Sequence, residues 1–357
     1  MRRSWVLALV CASCNGGATT PIAASADAPA ADAQIVLEDV HLIGRFDQNH
    51  RFAWPGTQIV TRFDGTAISI ELDDNGQNWF EVTIDGTARA PLHPGSGRAT
   101  YPLATGLSPE PHDLALARRT ESFFGPTTFF GFSGSPLIAT PRPARLVEMI
   151  GDSITCGYGV LGVGPTCGFT AATEAETHAW GSFAATRLGA AHVSIAYSGI
   201  GMSRNGDGST SDTMPERYLR TFADDGASTW AFSYSPDVIV IDLGTNDFAM
   251  GDPGSAFVTT YVAFTHMLRS HYANAKILLA TSPMLADSYP AGAMSRTKAR
   301  GYLDQIAATL ADPDVRVVEI AEQLSGDGYG CDYHPSEVTD RKMADVLVPA
   351  IRAATGW

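Results

Sequence analysis

Ser153 stands in Gly151-Asp152-Ser153-Ile154-Thr155, directly after an apolar run that ends at Met149-Ile150. A serine at a strand end becomes a nucleophile when a base removes its proton and backbone amides face the reacting carbonyl. The familiar nucleophile elbow is G-x-S-x-G; its last position here is Thr155, so that turn is not specified by the motif. Taken alone, the segment reads equally well as a surface turn or a helix cap, positions that Ser and Asp favour. A second cluster, Ser198-Gly199-Ile200-Gly201-Met202-Ser203-Arg204-Asn205, brings two glycines to another strand end. Glycine lets a main-chain N–H approach a developing oxyanion without a side chain in the way, although an ordinary glycine turn has the same sequence. A third, Gly244-Thr245-Asn246-Asp247, offers the Asn246 amide as a further donor and Asp247 as a support for the loop. Asp332-Tyr333-His334-Pro335-Ser336 supplies an imidazole whose ordinary pKa, near 6.5, suits proton transfer at neutral pH. Single histidines are usually structural; a hydroxyl, an imidazole and amide donors in combination make the machinery of acyl transfer through an acyl-serine.

These clusters need elements that bring them together. From position 144 onward, apolar strand-like runs at 146–150, 193–197, 238–243, 277–281 and 315–320 alternate with helical patterns at 179–188, 255–272, 296–310 and 341–354. Such alternation is the signature of an α/β fold, a parallel sheet covered by helices. Open parallel sheets bind ligands beyond the carboxyl ends of their strands, where the first three clusters fall.

The preceding region, 35–140, has short β-rich runs at 58–63, 67–72, 79–84 and 114–116, punctuated by Asp64-Gly65 and Asp85-Gly86. Isolated short strands do not stabilise themselves, so an antiparallel β-sandwich, of which a jelly roll is one version, is expected. Pro141 and Pro143 mark the internal boundary, and no repeat of fixed period is present. The expected division is a targeting and low-complexity segment at 1–34, a sandwich at 35–140 and a catalytic domain at 144–357.

In the first segment, Arg2 and Arg3 precede a short apolar stretch, 5–12, in the arrangement of an export signal. Ala24-Ser25-Ala26 is a candidate cleavage site, and Cys11-Ala12-Ser13-Cys14 an imperfect lipoprotein site with Cys14 as the anchor. A secreted, cell-surface or periplasmic protein is expected. In an oxidising compartment Cys156, Cys167 and Cys331 leave room for one disulfide and one odd thiol, with Cys156–Cys167 the expected pair. The formal net charge of −14 repels phosphate backbones and anionic lipid surfaces, so nucleic acid is not an expected partner; otherwise it says no more than solubility.

The four blocks, Ser153 in GDSIT, Gly201 in GIGMSRN, Asn246 in GTND and His334 in DYHPS, together resemble the SGNH hydrolase superfamily in residue type, order and strand-end placement. The resemblance runs from Leu146 to the carboxyl terminus. It implies a three-layer, flavodoxin-like domain in which Ser153 and His334 act together. The implied oxyanion donors are the Ser153 and Gly201 amides and the Asn246 side chain, with Gly199 an alternative to Gly201. One position departs from the pattern. The superfamily usually has Asp three residues before the histidine, but Cys331 stands there and the acid is Asp332, so either Asp332 or a backbone carbonyl orients His334.

The segments Phe52-Ala53-Trp54-Pro55-Gly56-Thr57, Val82-Thr83-Ile84-Asp85-Gly86 and Arg118-Arg119-Thr120-Glu121 are similar to parts of family 2 carbohydrate esterases. That similarity implies a jelly roll joined to the hydrolase domain and removal of acetyl groups from xylan, glucomannan or related glycans, with neither metal nor cofactor. The alternatives are an esterase of lipid or cell-envelope acyl groups and a non-catalytic carbohydrate-binding protein. Tyr333 and Trp180 are candidate sugar contacts, with packing as the plainer role for both.

Overall fold

A computed structural model describes residues 39–357; the expected export signal and Cys14 lie outside the described residues. Two antiparallel sheets come first. One holds Val40–Ile43, Gln58–Asp64, Pro111–Arg118, Phe80–Ile84 and Thr87–Ala88 in that order, with Leu137–Ile138 also paired to Gln58–Asp64. The other runs Arg51–Phe52, Thr127–Gly134, Ile68–Asn75 and Ser96–Ala104. In Ile68–Asn75 the alternate residues Ile68, Ile70 and Leu72 are buried, as a strand with one covered face requires. They join Phe63, Phe80, Val82, Leu116 and Phe129 in a single apolar core.

The second half is built on five parallel strands in the order Ala191–Ala196, Leu146–Gly151, Val238–Asp242, Lys276–Ala280 and Val315–Val318. Each strand is apolar on both faces because helices cover both. Val147, Met149, Val238, Val240 and Leu278 pack against Trp180–Leu188 and Glu337–Thr355. Ile150, Ile239, Ile241, Ile277 and Leu279 pack against Ser255–His271 and Ser295–Leu310. In chain order this sheet reads 2-1-3-4-5, so its topological switch lies between Leu146–Gly151 and Val238–Asp242. Among the described residues no helix is long and apolar enough to cross a membrane.

The two halves share buried polar contacts. Arg45, from the β half, is sandwiched by the rings of Trp54, Tyr218 and Trp230 and faces Glu148 of the first parallel strand at 3.6 Å. Glu148 also accepts from the hydroxyls of Tyr218 at 2.7 Å and Tyr234 at 2.6 Å.

The cysteines differ from expectation. Cys167 is bonded to Cys331, across 164 residues of sequence, and Cys156 is a buried free thiol. Cys156 ends the short helix that Ser153 opens, facing buried carboxyl groups rather than the loop that carries Cys167.

Candidate active site

The nucleophile turn is made by close packing in place of a second motif glycine. Asp152 caps the helix Ser153–Cys156, its Oδ1 accepting from the Ile154 amide at 3.0 Å, and Gly157 (φ 70°) ends it. A Cβ at Gly151 would collide with the Thr155 hydroxyl and approach the Asp242 carbonyl at 3.1 Å. Thr155, the residue that departs from the elbow motif, is thus what Gly151 makes room for. Ser153 opens the helix, and its N–H has no acceptor among the described residues. Its Oγ lies 2.8 Å from Nε2 of His334.

Asn246 is brought to the same strand ends. Its side-chain amide donates to Asp152 at 3.1 Å and to the Ile200 carbonyl at 3.0 Å, tying the second, first and third parallel strands together at their tips. Burial, with Asp247 nearby, pushes the Asp152 carboxyl up to about 7. Asp247 does support the loop: it accepts from the amides of Met202 at 2.8 Å, Ser203 at 2.7 Å and Arg204 at 3.0 Å.

The two candidate glycines divide. Gly201 N–H donates to Asn205 Oδ1 at 3.1 Å, and a Cβ there would collide with the Arg204 carbonyl. Gly199 (φ 79°) is exposed, with nothing within 4 Å of a Cβ and no acceptor for its N–H among the described residues. In this arrangement the unengaged N–H of the loop is that of Gly199, and Gly201 is the glycine that tight packing demands.

The Asp332 carboxylate makes no hydrogen bond to His334 in this arrangement. It accepts from the Tyr158 hydroxyl at 2.9 Å, and Nδ1 of His334 makes no well-aligned hydrogen bond among the described residues, although the Asp332 and Cys331 backbone carbonyls act on the ring. The cause is local: Asp332 (φ 51°) and Tyr333 (φ 62°) both adopt the left-handed conformation, so the segment is not extended and alternate residues do not share a side. The Tyr158 ring lies against the imidazole with centroids 4.1 Å apart, and Cys331 is anchored through its disulfide. The turn closes with Gly330 N–H on the His334 carbonyl at 2.9 Å and His334 N–H on the Cys331 carbonyl at 3.1 Å. Burial lowers the His334 pKa, opposed by the Asp332 and Cys331 carbonyls and by the Asp332 charge.

Of the candidate sugar contacts, Trp180 is fully buried under the sheet with its amide on Asp340 and is a packing residue. Tyr333 is exposed beside His334. Sequence reasoning missed an aromatic cluster at the same place. Tyr158 stacks on Phe169 at 3.9 Å; Phe169 meets Phe123 at 6.1 Å; Phe123 meets Tyr197 at 6.0 Å. Phe123 comes from the β half and is 43% exposed.

Among the described residues, one set of three groups has ligand atoms close enough to hold a metal ion: Glu121, Cys156 and Glu174. Both Glu121 oxygens are already engaged by Ser198, at 2.7 Å and 2.5 Å. Burial pushes the Cys156 thiol and the Glu174 carboxyl well up, towards protonated forms that do not ligate.

Two family models match: the carbohydrate esterase 2 N-terminal model over residues 42–141 and the GDSL-like lipase/acylhydrolase family over 149–341. The chain is 34% identical to the cellulase/esterase CelE of Acetivibrio thermocellus over 88% of its own length, but spans 39% of that protein. It is 28% identical to an acetylxylan esterase/glucomannan deacetylase of Cellvibrio japonicus, covering 86% of this chain and 87% of the relative. A family two carbohydrate esterase from Clostridium thermocellum, solved with cellohexaose, superposes with a TM-score of 0.83 at 34% identity, over 89% of this chain and 99% of that one. With matches in both halves, and one relative aligned along nearly its whole length, the chain belongs to the GDSL-like acylhydrolases and, among them, to the family 2 carbohydrate esterases.

Proposed function

We propose that the protein is a serine esterase that removes O-acetyl groups from carbohydrate, xylan, glucomannan or a related glycan. The observation that carries this reading is the 2.8 Å contact between Ser153 Oγ and His334 Nε2, set beside an aromatic cluster to which both halves of the chain contribute. Aromatic faces suit the apolar faces of sugar rings.

For Nε2 to accept the Ser153 proton, the neutral imidazole carries its own on Nδ1. As Oγ bonds to the acetyl carbon, the hydroxyl proton passes to Nε2 and the carbonyl oxygen becomes an oxyanion. The Ser153 N–H and the Gly199 N–H face no competing acceptor among the described residues, and the Asn246 amide joins them by exchanging its contact with Asp152 or with the Ile200 carbonyl for the oxyanion. Collapse breaks the bond to the sugar oxygen, which takes the proton from His334. Water then attacks acetyl-Ser153, giving its proton to His334; Oγ leaves with that proton and acetate is released. The residues account for each proton without a cofactor.

The disulfide Cys167–Cys331 supports export to an oxidising compartment, in keeping with the signal-like amino terminus. The two antiparallel sheets over one core support a jelly roll. The test is acetate release from acetylated xylan and glucomannan alongside model esters of increasing acyl length. Acetyl preference is expected; preference for long-chain esters would overturn the carbohydrate reading in favour of a lipid or envelope ester.

A further inference from the structure

Glu121 belongs to the β half, yet its side chain reaches into the hydrolase half and ends on Ser198, the residue before Gly199. Oε2 accepts the Ser198 N–H at 2.7 Å and Oε1 the Ser198 hydroxyl at 2.5 Å. Glu121 is fully buried, so this two-point grip is undiluted by water. Between Ser198 and the buried Ile200, Gly199 is exposed, its carbonyl tied by Gly206 N–H at 2.8 Å.

The grip is itself held from the nucleophile side. Glu121 N–H donates to Glu174 Oε2 at 2.9 Å, and Cys156, the last residue of the helix that Ser153 opens, points its sulfur into the same cluster. Burial raises both carboxyls, and the negative charge of Glu121 raises Glu174 further. Glu121 thus holds Ser198 through both carboxylate oxygens while its own N–H is held by Glu174, and the cluster lies between the helix that Ser153 opens and the loop at Ser198.

We propose that Glu121 is a positioning residue for the oxyanion loop: by gripping Ser198 it fixes the adjacent Gly199 N–H relative to Ser153, which makes the β half a working part of the esterase site. This rests on the esterase reading above. An oxyanion donor is commonly worth ~10²-fold to ~10³-fold in turnover, so a donor displaced rather than deleted is worth ~10-fold to ~10²-fold.

The test measures kcat and KM for 4-nitrophenyl acetate in wild type, Glu121→Gln and Ser198→Ala, with thermal melting of each. Glu121→Gln keeps the shape but turns one acceptor into a donor facing Ser198; its kcat is expected to fall ~10-fold to ~10²-fold with KM nearly unchanged. Ser198→Ala removes one of the two contacts while leaving Glu121 in place, and its kcat is expected to fall several-fold. Folded Glu121→Gln and Ser198→Ala proteins with wild-type kcat would overturn the proposal, as would losses that only track melting temperature; if Glu121→Gln does not fold, Ser198→Ala decides alone. A wild-type protein inert to every ester would instead overturn the esterase reading.

Discussion

The Asp332 carboxylate accepts the Tyr158 hydroxyl at 2.9 Å, and the Tyr158 ring lies against the imidazole of His334. The acid nearest the histidine is therefore spent on the residue that packs the ring, and the ring is held by stacking, by the backbone of its own turn and by the Cys331 disulfide. Asp332 acts on His334 through its charge and through Tyr158.

A charge at that distance is worth less than a direct hydrogen bond, so Asp332→Asn is expected to lower kcat by less than about tenfold. Asn is the appropriate replacement because it tolerates the left-handed φ of 51° that Ala would strain. Steady-state kinetics of the folded variant checks this; a loss of ~10⁴-fold, typical of breaking a true triad acid, would contradict it.

His334 works as a base only when neutral. Because burial lowers its pKa from the ordinary 6.5, the neutral form persists to lower pH. As pH rises, kcat/KM is expected to climb through a midpoint below 6.5 and to be on its plateau by neutrality. A pH profile of the free enzyme's kcat/KM checks this, and a midpoint above 7 would contradict it.

Cys167–Cys331 closes a loop spanning 164 positions and ends three residues before His334. Replacing both cysteines by serine is expected to cost about 4–5 kcal/mol in denaturant unfolding and to lower kcat by loosening the His334 turn. Unchanged stability and turnover in the double variant would show that noncovalent packing alone suffices.

Arg45 and Glu148 are both fully buried where the halves meet. Glu148→Leu leaves the guanidinium buried without its counter-charge and is expected to destabilise the protein by about 3–5 kcal/mol, read from urea unfolding. Arg45→Met with Glu148→Leu is expected to recover much of that loss. A single variant as stable as wild type would show that the pair contributes little.

The parallel strands were legible because each is an apolar run bounded by turns: 238–243 in sequence became Val238–Asp242, and 146–150 became Leu146–Gly151. The closing helix starts earlier than its pattern, at Glu337, because Ser336 caps it by accepting the Thr339 amide. Ser96–Ala104 was not foreseen as a strand, since its first half, Ser-Gly-Arg-Ala-Thr, has no alternation to read. At the site, residue type and order single out Ser153 and His334, which the fold brings to 2.8 Å, and Asn246, which it brings to the same strand ends. The role of Glu121 was not legible, although its segment had been singled out: a glutamate in Arg-Arg-Thr-Glu looks solvated until Ser198, 77 residues away, is folded onto it. The disulfide was misread for the same reason, since a pairing across 164 positions is decided by tertiary structure.

The most direct test of the account is acetylation of Ser153 itself. Rapid quenching of the enzyme with an acetylated xylo-oligosaccharide, followed by peptide mass analysis, is expected to find one acetyl group on the peptide containing Ser153, with no acetate released by folded Ser153→Ala. Undiminished acetate release by Ser153→Ala would contradict the account.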